Sequence, residues 1–436
     1  MTVPRMVQHV LDRLPHGARD AGIVFSGDVL SKFLTFLITL SMLALLQPEE
    51  YLLYGLFITV LAAVNQFTDS GIHQSFIRFY ALYKHDKPDR AQAYYEFTLR
   101  LKAAIVLLTA VAVYFGAGVI AVDVLRTPEL QHPLRIMTLA VVGGGLMEYI
   151  LAVLQARQEF ARFTGVRMAE AVLKTGFIYA AIFAGVFSLD LVYASYAIAP
   201  LLVGVVSVYF VSNLRGRVAY DWRDLGREML GFGKWMMITS FATMFLMRLD
   251  VFMISPLLAH RPEEAGLYIA ATKLCTPLIV LAGSVSTVFF PKAMELRTVA
   301  GMRSYLRKTF AVSLPVTALG LLYMLGLYFA IPEYFPAYAE SLPLFALLFL
   351  GYAWTIIGNP VTMLILSINH AHVATYIALG QLLITVVAHY FFITHMGGMG
   401  AALSSVLVWF LAGSVTMLYT WIHRHDIERI RPEETA

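Results

Sequence analysis

The stretch that decides the fold is "PEEYLLY", residues 48–54, because it returns almost unchanged as "PEEAGLY" at residues 262–268. Five of the seven letters agree, and the two copies start 214 residues apart in a chain of 436 residues. Each copy leads, at the same interval, to a cationic residue, Arg78 in the first half and Lys292 in the second. A repeat at half the chain length predicts a duplicated unit, although Pro followed by two acids is also an ordinary helix start.

The composition is that of a membrane protein. The chain is 59% hydrophobic and 14% charged, whereas soluble domains carry about 25% charged residues. The hydrophilic stretches between the apolar ones are too short to form a separate soluble domain. Its one cysteine, Cys275, excludes an intramolecular disulfide and a cysteine-based metal site.

Twelve apolar stretches are long enough to cross a bilayer as helices, which requires about 20 mainly apolar residues. We therefore expect an all-α polytopic membrane protein with about 12 transmembrane helices. The predicted spans are residues 20–46, 51–76, 99–122, 134–155, 168–188, 191–212, 235–257, 265–289, 309–331, 341–366, 373–395 and 399–421.

The two repeat copies open the second and the eighth predicted spans, so the duplicated unit contains six spans. Because six is even, both halves enter the membrane from the same side, and the pseudo-two-fold axis that relates two six-helix bundles should run along the membrane normal. The predicted parts are a cytoplasmic N-terminal segment (1–19), an N-terminal six-helix bundle (20–212), a cytoplasmic linker (213–234), a C-terminal six-helix bundle (235–421) and a cytoplasmic tail (422–436).

The Lys and Arg residues are distributed unevenly between the two sides of these spans. Only Arg126, Arg135 and Arg261 fall in loops on the side opposite the termini, whereas most of the 32 Lys and Arg residues, Lys102 among them, fall on the side of the termini. Since cytoplasmic loops carry an excess of Lys and Arg, both termini are predicted to be cytoplasmic.

Ionisable residues inside a span are costly and are therefore functional candidates. Asp28 and Lys32 on the first span stand four residues apart, as do Glu170 and Lys174 on the fifth. This spacing lets each acid pair with its own lysine on one helix face. For the second pair, near the cytoplasmic end of its span, a structural role is the expected one.

Two further cations have no such intrahelical partner. Arg248 and Asp250 stand two residues apart and so do not share a helix face, and Lys273 has no acid three or four residues away. By the rise of a helix, Lys32, Arg248 and Lys273 all lie near the middle of the membrane. They predict a central site for an anion such as a phosphate. The alternative is that they pair with acids of the spans, namely Asp28, Glu148 and Asp250.

Other patterns predict structure rather than chemistry. His370 and His372 flank a turn and are expected to be solvated histidines, because no carboxylate or cysteine stands nearby in sequence to complete a metal site. The glycine runs at 141–145 and 397–400 follow no strand, so they indicate close helix packing or a turn. Two halves facing each other across a central axis suggest a transporter. Because the sequence has no nucleotide-binding motif, the energy for transport would come from an ion gradient, from the substrate's own gradient or from a partner. No cofactor is expected, and coupling to H⁺ or Na⁺ is left open.

Five stretches together resemble the oligosaccharide (Wzx-type O-antigen or exopolysaccharide) flippases of the multidrug/oligosaccharidyl-lipid/polysaccharide exporter superfamily. The likeness extends over nearly the whole chain, although each motif is degenerate. The stretches are "TDSGIHQSFIRFY" (68–80), "LQARQEFARF" (154–163), "EEAGLYIAATKL" (263–274), "FPKAMELR" (290–297) and "GMGAALSS" (398–405).

The resemblance implies a V-shaped pair of six-helix bundles with alternating access. Such a protein would move an undecaprenyl-pyrophosphate-linked oligosaccharide from the cytoplasmic to the periplasmic leaflet of the bacterial inner membrane. Lys32, Arg248 and Lys273 would bind the pyrophosphate, with Arg78 near the cytoplasmic entrance. The expected charge or coupling partners are Asp28, Asp69, Glu148 and Asp250.

The same resemblance implies the partners. These are the lipid-linked oligosaccharide and the membrane lipids, and partnership with a polysaccharide polymerase and chain-length machinery is left open. A nucleic-acid partner is not expected, nor is enzymatic activity.

Three alternatives stay open at this point. A cation-coupled multidrug exporter of the same superfamily would favour acids over bases in its cavity. A membrane polysaccharide polymerase or glycosyltransferase would need larger external loops than this chain has. An accessory protein without transport activity would leave the mid-membrane cations unexplained.

Overall fold

Every regular element in the described part of the chain is helical. The computed structural model describes residues 16–69, 71–211, 220–368 and 370–428. The α-helices are α1 (His16–Leu45), α2 (Pro48–Asp69), α3 (Ile72–Tyr83), α4 (Pro88–Gly118), α5 (Gln131–Ala156), α6 (Phe160–Phe183), α7 (Leu189–Val211), α8 (Trp222–Leu257), α9 (Pro262–Leu274), α10 (Thr276–Met294), α11 (Val299–Tyr334), α12 (Leu342–Thr362), α13 (Leu364–Ser367) and α14 (Ala371–Ile422). A π-helical segment, Val119–Val124, and 3₁₀ turns at Pro128–Leu130, Pro336–Ser341 and Arg424–Glu428 complete the elements.

The predicted spans coincide with these helices, and the all-α fold class is confirmed. In the described ranges, ten helical segments are long and apolar enough to cross a membrane. The last of them, His372–Ile422, has 51 residues and covers two predicted spans, whereas α6 is not among the ten. The predicted cytoplasmic segments 1–19, 213–234 and 422–436 lie partly outside the described residues, so their placement stays a prediction.

Helix α8 begins at Trp222, 13 residues before the span that hydropathy predicts. Its first turns carry two adjacent stripes, in which Leu225 and Met229 are buried while Asp224 and Glu228 pair with a cation of α4. The guanidinium of Arg90 lies 3.1 Å from Asp224 and 2.7 Å from Glu228. A hydropathy reading finds only the apolar part of such a helix, because it ignores periodicity.

The chain forms two compact units. Unit 1 comprises Met1–Leu40, Phe57–Val124 and Pro128–Phe241, and unit 2 comprises Ser41–Leu56, Leu125–Thr127 and Ala242–Ala436. The core of unit 1 contains buried residues of α3, α4, α5 and α8, and a core of unit 2 contains residues of α10, α11 and α12.

Helix packing explains the first glycine run. A Cβ on Gly143 of α5 would lie 2.6 Å from the backbone nitrogen of Leu201 on α7. A Cβ on Gly145 would meet the side chain of Val106 on α4. The absence of side chains lets α5 approach both neighbours closely, as predicted for 141–145.

Within unit 2 the two repeat copies contact each other. A Cβ on Gly266, in the second copy, would lie 2.5 Å from the carbonyl carbon of Pro48, the first residue of the first copy. About two turns further along α2 and one turn further along α9, Gly55 faces the side chain of Ile269. Positions 55 and 269 are separated by the repeat interval, so equivalent residues of the two copies meet. This contact supports the duplication inferred from the sequence.

The second glycine run is a turn inside α14. Gly397 has φ 62° and ψ −139°, a conformation that is essentially restricted to glycine. The backbone N–H of Gly398 donates to Oε1 of Glu264 at 2.8 Å. The second acid of the "PEEAGLY" copy therefore holds the kink that separates the last two predicted spans.

Candidate functional site

The second and the eighth predicted spans are each broken into two helices. In unit 1, α2 ends at Asp69 and α3 begins after Gly71, which has a left-handed φ of 70°. In unit 2, α9 ends at Leu274, and α10 starts at Thr276, one residue before Pro277. Broken helices expose backbone groups inside the membrane, which is tolerated only where protein or a water-filled cavity surrounds them. Charged side chains lie at both breaks.

At the break in unit 2, Arg248 and Lys273 form a cationic pair. Arg248 lies on α8 and Lys273 in the last turn of α9, and both are half-buried. The charges of Arg248, Lys273 and Asp250 are close enough to interact electrostatically. No carboxylate of the described residues lies within 4.0 Å of either cation. The sequence-based alternative, in which Asp250 neutralises them through an ion pair, is therefore not what the structure has.

Asp250 instead belongs to a buried chain of hydrogen bonds. The hydroxyl of Tyr268 donates to Oδ2 of Asp250 at 2.7 Å and lies 3.5 Å from the Ser405 hydroxyl. The Ser405 hydroxyl lies 3.4 Å from Nε2 of His389, whose side chain is 2% exposed. Tyr268 is the last residue of "PEEAGLY", so the repeated motif supplies part of this network. His389 could not be predicted from the sequence, because a lone histidine in an apolar stretch carries no spacing signal.

Structural partners also exist at the break. The backbone carbonyl of Leu274, at the end of α9, accepts a hydrogen bond of 2.9 Å from the hydroxyl of Tyr323. The cation of Lys273 stands at the negative end of the α9 dipole, which favours it there. These contacts hold α9 in place, but among the described residues they bring no carboxylate within 4.0 Å of the pair, and Asp250 acts on it from a greater distance.

In unit 1, Asp28 is shared by two cations. The predicted pair is present, with Nζ of Lys32 3.3 Å from Oδ2 of Asp28. Nη1 of Arg167, on α6, lies 2.5 Å from the other carboxylate oxygen. One carboxylate between two cations leaves a net positive charge, and Lys32 is 51% exposed. Its predicted contact with a pyrophosphate stays a prediction.

Lys102, counted among the cytoplasmic cations above, has a buried side chain in the structure. It lies near the middle of the apolar segment Pro88–Val124 and its side chain is only 6% exposed. Its Nζ lies 2.7 Å from Oε2 of Glu148 and 3.8 Å from Oδ1 of Asp69. A weak signal was available, because Glu148 stood inside a span without an intrahelical cation.

The position of Lys102 has a structural explanation. Its ammonium donates to the backbone carbonyl of Thr68 at 3.2 Å, at the end of α2. An acid such as Asp69 at a helix C-terminus is unfavourable, and a buried cation offsets both the acid and the exposed carbonyls. Asp69 and Glu148 are thus partners of Lys102, which no spacing rule could predict.

Arg78 lies on α3 and is exposed. Its guanidinium carbon stands 4.4 Å from the ring centroid of Phe232 on α8, a cation–π geometry. Over the described ranges, no carboxylate lies within ion-pair distance of it. Its assigned role at the entrance to the transport path is not tested by these contacts and stays a prediction.

The histidines beside the turn before α14 form ordinary contacts. Nδ1 of His370 lies 2.8 Å from the hydroxyl of Tyr419, and Nε2 lies 3.7 Å from Asp426. Among the residues that the structure describes, no group of three or more His, Cys, Asp or Glu side chains could hold a metal ion.

The comparison with known families identifies the chain. Residues 42–325 match the profile of the family described as polysaccharide biosynthesis protein. The chain belongs to this family. No curated protein matches it.

Solved structures share the fold of this polysaccharide biosynthesis family member. The lipid II flippase MurJ, in an inward closed conformation, gives a TM-score of 0.72 at 14% sequence identity over 93% of this chain and 88% of that chain. An inward-facing multidrug resistance MATE family transporter of the MOP superfamily gives a TM-score of 0.70 at 15% sequence identity, over 92% of this chain and 96% of that chain. A MOP superfamily transporter from Pyrococcus furiosus, described as having a binding pocket of reversed polarity, gives 0.62 at 14% identity over 94% of each chain.

These likenesses establish the fold. The sequence-based resemblance to flippases of this exporter superfamily is confirmed. The chain is a multi-pass membrane protein with the fold of a MOP transporter. The three relatives are described as a flippase and two transporters rather than enzymes, in agreement with the prediction that this chain is not an enzyme.

Proposed function

We propose that this protein translocates a prenyl-pyrophosphate-linked oligosaccharide from the cytoplasmic to the periplasmic leaflet of a bacterial inner membrane by alternating access. Membership of a polysaccharide biosynthesis family and a transporter fold support the substrate class and the type of activity. The distribution of Lys and Arg supports cytoplasmic termini. The membrane lipids are the second partner, and contacts with a polysaccharide polymerase or chain-length machinery belong to the same proposal.

The observation that carries the proposal is the cationic pair of unit 2. Arg248 and Lys273 lie inside helical segments that cross the membrane, yet neither has a carboxylate within 4.0 Å in the described chain. A pair of opposite charges 4 Å apart gains about 4 kcal/mol at an effective dielectric constant of about 20. A pyrophosphate supplies the missing negative charge, and the planar guanidinium of Arg248 suits two phosphate oxygens at once. The unpaired cations thus favour an anionic substrate.

The hydrogen-bonded chain beside this pair offers a route for coupling. Tyr268, Ser405 and His389 connect to Asp250 through contacts of 2.7 to 3.5 Å. Groups that both donate and accept suit the binding of H⁺. We infer coupling to H⁺ rather than Na⁺ at Asp250 and His389. A protonophore should then cause the lipid-linked glycan to accumulate, and dissipation of the Na⁺ gradient alone should not.

The same network also favours a second candidate, a cation-coupled multidrug exporter, because Asp250 is an acid inside the membrane. The likeness in fold to a MATE family transporter fits this alternative equally well. If the protein exported cationic drugs, Arg248 and Lys273 would repel the drug molecules. The flippase is therefore the first proposal.

The test is mass spectrometry of lipid-linked glycans, with their membrane sidedness, in cells depleted of this protein. We expect one complete prenyl-pyrophosphate oligosaccharide to accumulate on the cytoplasmic face. Re-expression of the wild-type chain should clear it, whereas Arg248→Ala and Lys273→Ala should not. The control is Arg303→Ala, which removes an exposed cation of α11 and should behave as wild type.

Two outcomes would contradict the proposal. Normal surface polysaccharide in cells carrying either Arg248→Ala or Lys273→Ala would show that these cations do not form a site needed for transport. Altered drug sensitivity in depleted cells, without any accumulated lipid-linked glycan, would establish the exporter instead.

A further inference from the structure

Unit 2 contains a cavity that the proposed pyrophosphate site does not use. It has a volume of about 340 Å³ and lies among α12, α13 and α14. Two indole rings line it, those of Trp354 and Trp409, together with the amides of Asn359 and Gln381. No charged side chain of the described residues lines this cavity. Its chemistry is therefore that of a neutral ligand, with a volume inside the range of about 300–1,000 Å³ typical of ligand sites.

The side-chain amides of Asn359 and Gln381 are the polar groups of the cavity that are available to bind a ligand. Neither Asn359 nor Gln381 has a side-chain hydrogen-bond partner within the described part of the chain. Neither amide appears among the fully buried polar atoms that lack a partner, so both open into accessible space. The hydroxyls of Thr362 and Thr416, in contrast, donate to backbone carbonyls of their own helices at 2.9 and 2.8 Å. Each amide presents two donors and an acceptor oxygen, which matches the hydroxyl groups of a sugar.

The depth of Gln381 makes its open amide unusual. Gln381 lies ten residues after the start of α14, about 15 Å along the helix by its rise. A polar group without a partner at such a depth costs free energy unless water or a ligand satisfies it. Both amides lie in the half of their helices that is predicted to face the cytoplasm. A ligand arriving from the cytoplasmic leaflet would reach them first.

The indole of Trp354 is held rigidly. Its Nε1 donates to the backbone carbonyl of Trp409 at 3.2 Å, and its ring stacks on Phe410 with centroids 4.5 Å apart. A Cβ on Gly413 would lie 2.7 Å from that same Nε1, so α14 approaches the ring closely. A fixed aromatic surface beside amides offers an apolar contact for the C–H groups of a pyranose and hydrogen bonds for its hydroxyls.

We propose that this cavity binds a neutral pyranose unit of the oligosaccharide carried by the lipid. The proposal rests on the proposed function for the lipid carrier, but the recognition of the sugar rests on Trp354, Asn359 and Gln381 themselves. The pyrophosphate and the sugar would then occupy different sites, one cationic and one neutral. An acyl chain is the competing occupant, because indole rings and aliphatic side chains would also accept it.

The test uses the full-length protein in lipid nanodiscs. The chain has five Trp residues, and replacing three of them by Phe leaves Trp354 and Trp409 as the only indole reporters. The protein is titrated with decyl glucoside, decyl galactoside and decyl maltoside, which are neutral and free of phosphate. Decyl phosphocholine has the same chain without a sugar. We expect a saturable change in emission with at least one glycoside and none with the phosphocholine.

Three variants establish which groups act. Asn359→Leu and Gln381→Leu keep most of the side-chain volume and remove the hydrogen bonds, and each should weaken glycoside binding by about tenfold. Because both changes replace an amide by an apolar group inside the membrane, folding should be preserved. The matched control is Tyr376→Leu, which changes a side chain of α14 that is 68% exposed and outside the cavity. It should bind as wild type.

Three results would overturn the proposal: no saturable signal with any of the glycosides, an equal signal with decyl phosphocholine, or wild-type glycoside affinity in both Leu variants. The glycoside titration does not depend on transport. If depletion causes no glycan to accumulate while glycosides still bind, the flippase function fails and the sugar site stands. If the glycan accumulates while glycosides do not bind, the sugar site fails and the flippase function stands.

Discussion

Replacing Gly266 by Ala should destabilise the contact between the two repeat copies. The added Cβ would lie 2.5 Å from the carbonyl carbon and 3.2 Å from the Cα of Pro48, and closer still to the carbonyl oxygen. Ordinary contacts of a Cβ begin at 3.4 Å, so the starts of α2 and α9 must separate by about 1 Å in an interior that packs densely. The obstacle is backbone, which no side-chain rotation removes.

The size of the effect follows from two opposing terms. Overpacking costs about 1–3 kcal/mol, and a backbone clash belongs at the upper end. A Gly→Ala change within a helix returns up to about 1 kcal/mol through helix propensity. We expect a net loss of about 2 kcal/mol in the free energy of unfolding. For a unit of about 200 residues this corresponds to a Tm lower by about 4–8 °C.

The assay is thermal unfolding of the purified protein in detergent, followed by size-exclusion chromatography of the soluble fraction. The matched control is Gly283→Ala on α10, where a Cβ would meet nothing within 4 Å. That variant should keep the Tm of wild type or exceed it. If Gly266→Ala has the same Tm as Gly283→Ala, the starts of α2 and α9 do not contact each other as described.

Two further predictions concern other sites and use the same thermal assay. Gly397→Ala should lower the free energy of unfolding by about 1–3 kcal/mol, because φ 62° with ψ −139° excludes a side chain and the new Cβ would lie 2.7 Å from Cδ of Glu264. The control is Gly380→Ala on the same helix, where a Cβ meets nothing within 4 Å, and it should melt as wild type. Equal melting temperatures of the two variants would contradict this prediction. Lys102→Met should lower the free energy of unfolding by about 3 kcal/mol, because it leaves the carboxylate of Glu148 without its cation. This is the low end of the cost of breaking a buried ion pair, since Glu148 is 31% exposed. Adding Glu148→Gln should restore part of the loss, and strictly additive effects in the double-mutant cycle would show that the two side chains do not interact.

Intrahelical pairs could be predicted from the sequence, and pairs between helices could not. Because Asp28 and Lys32 are four residues apart, they become neighbours on one face once a helix forms. In the structure, Nζ of Lys32 lies 3.3 Å from Oδ2 of Asp28. Lys102 and Glu148 are 46 residues apart, and only the packing of α4 against α5 brings them together. The count of cations by loop grouped Lys102 with its neighbour Arg100 and so did not indicate that Lys102 is buried.

The candidate sites follow the same division. The sequence indicated Arg248 and Lys273 because both lack an intrahelical acid, and within the described ranges no carboxylate lies within 4.0 Å of either cation. It also indicated Asp250, but not its partner Tyr268, which lies on a different helix. The cavity lined by Trp354 and Gln381 carries no sequence pattern, since its residues come from three helices.

The sequence by itself determined the class of the protein, most of its membrane-spanning stretches and the repeat, because hydropathy and spacing are properties of the chain taken one stretch at a time. Its two PEE motifs marked the helix starts that contact each other. Only the tertiary structure decided which charges are neutralised, where α2 and α9 end inside the membrane, and which amides open into a cavity. The physical reason is that an ion pair or a cavity depends on which helices become neighbours, and the packing that makes them neighbours involves residues far apart in the chain.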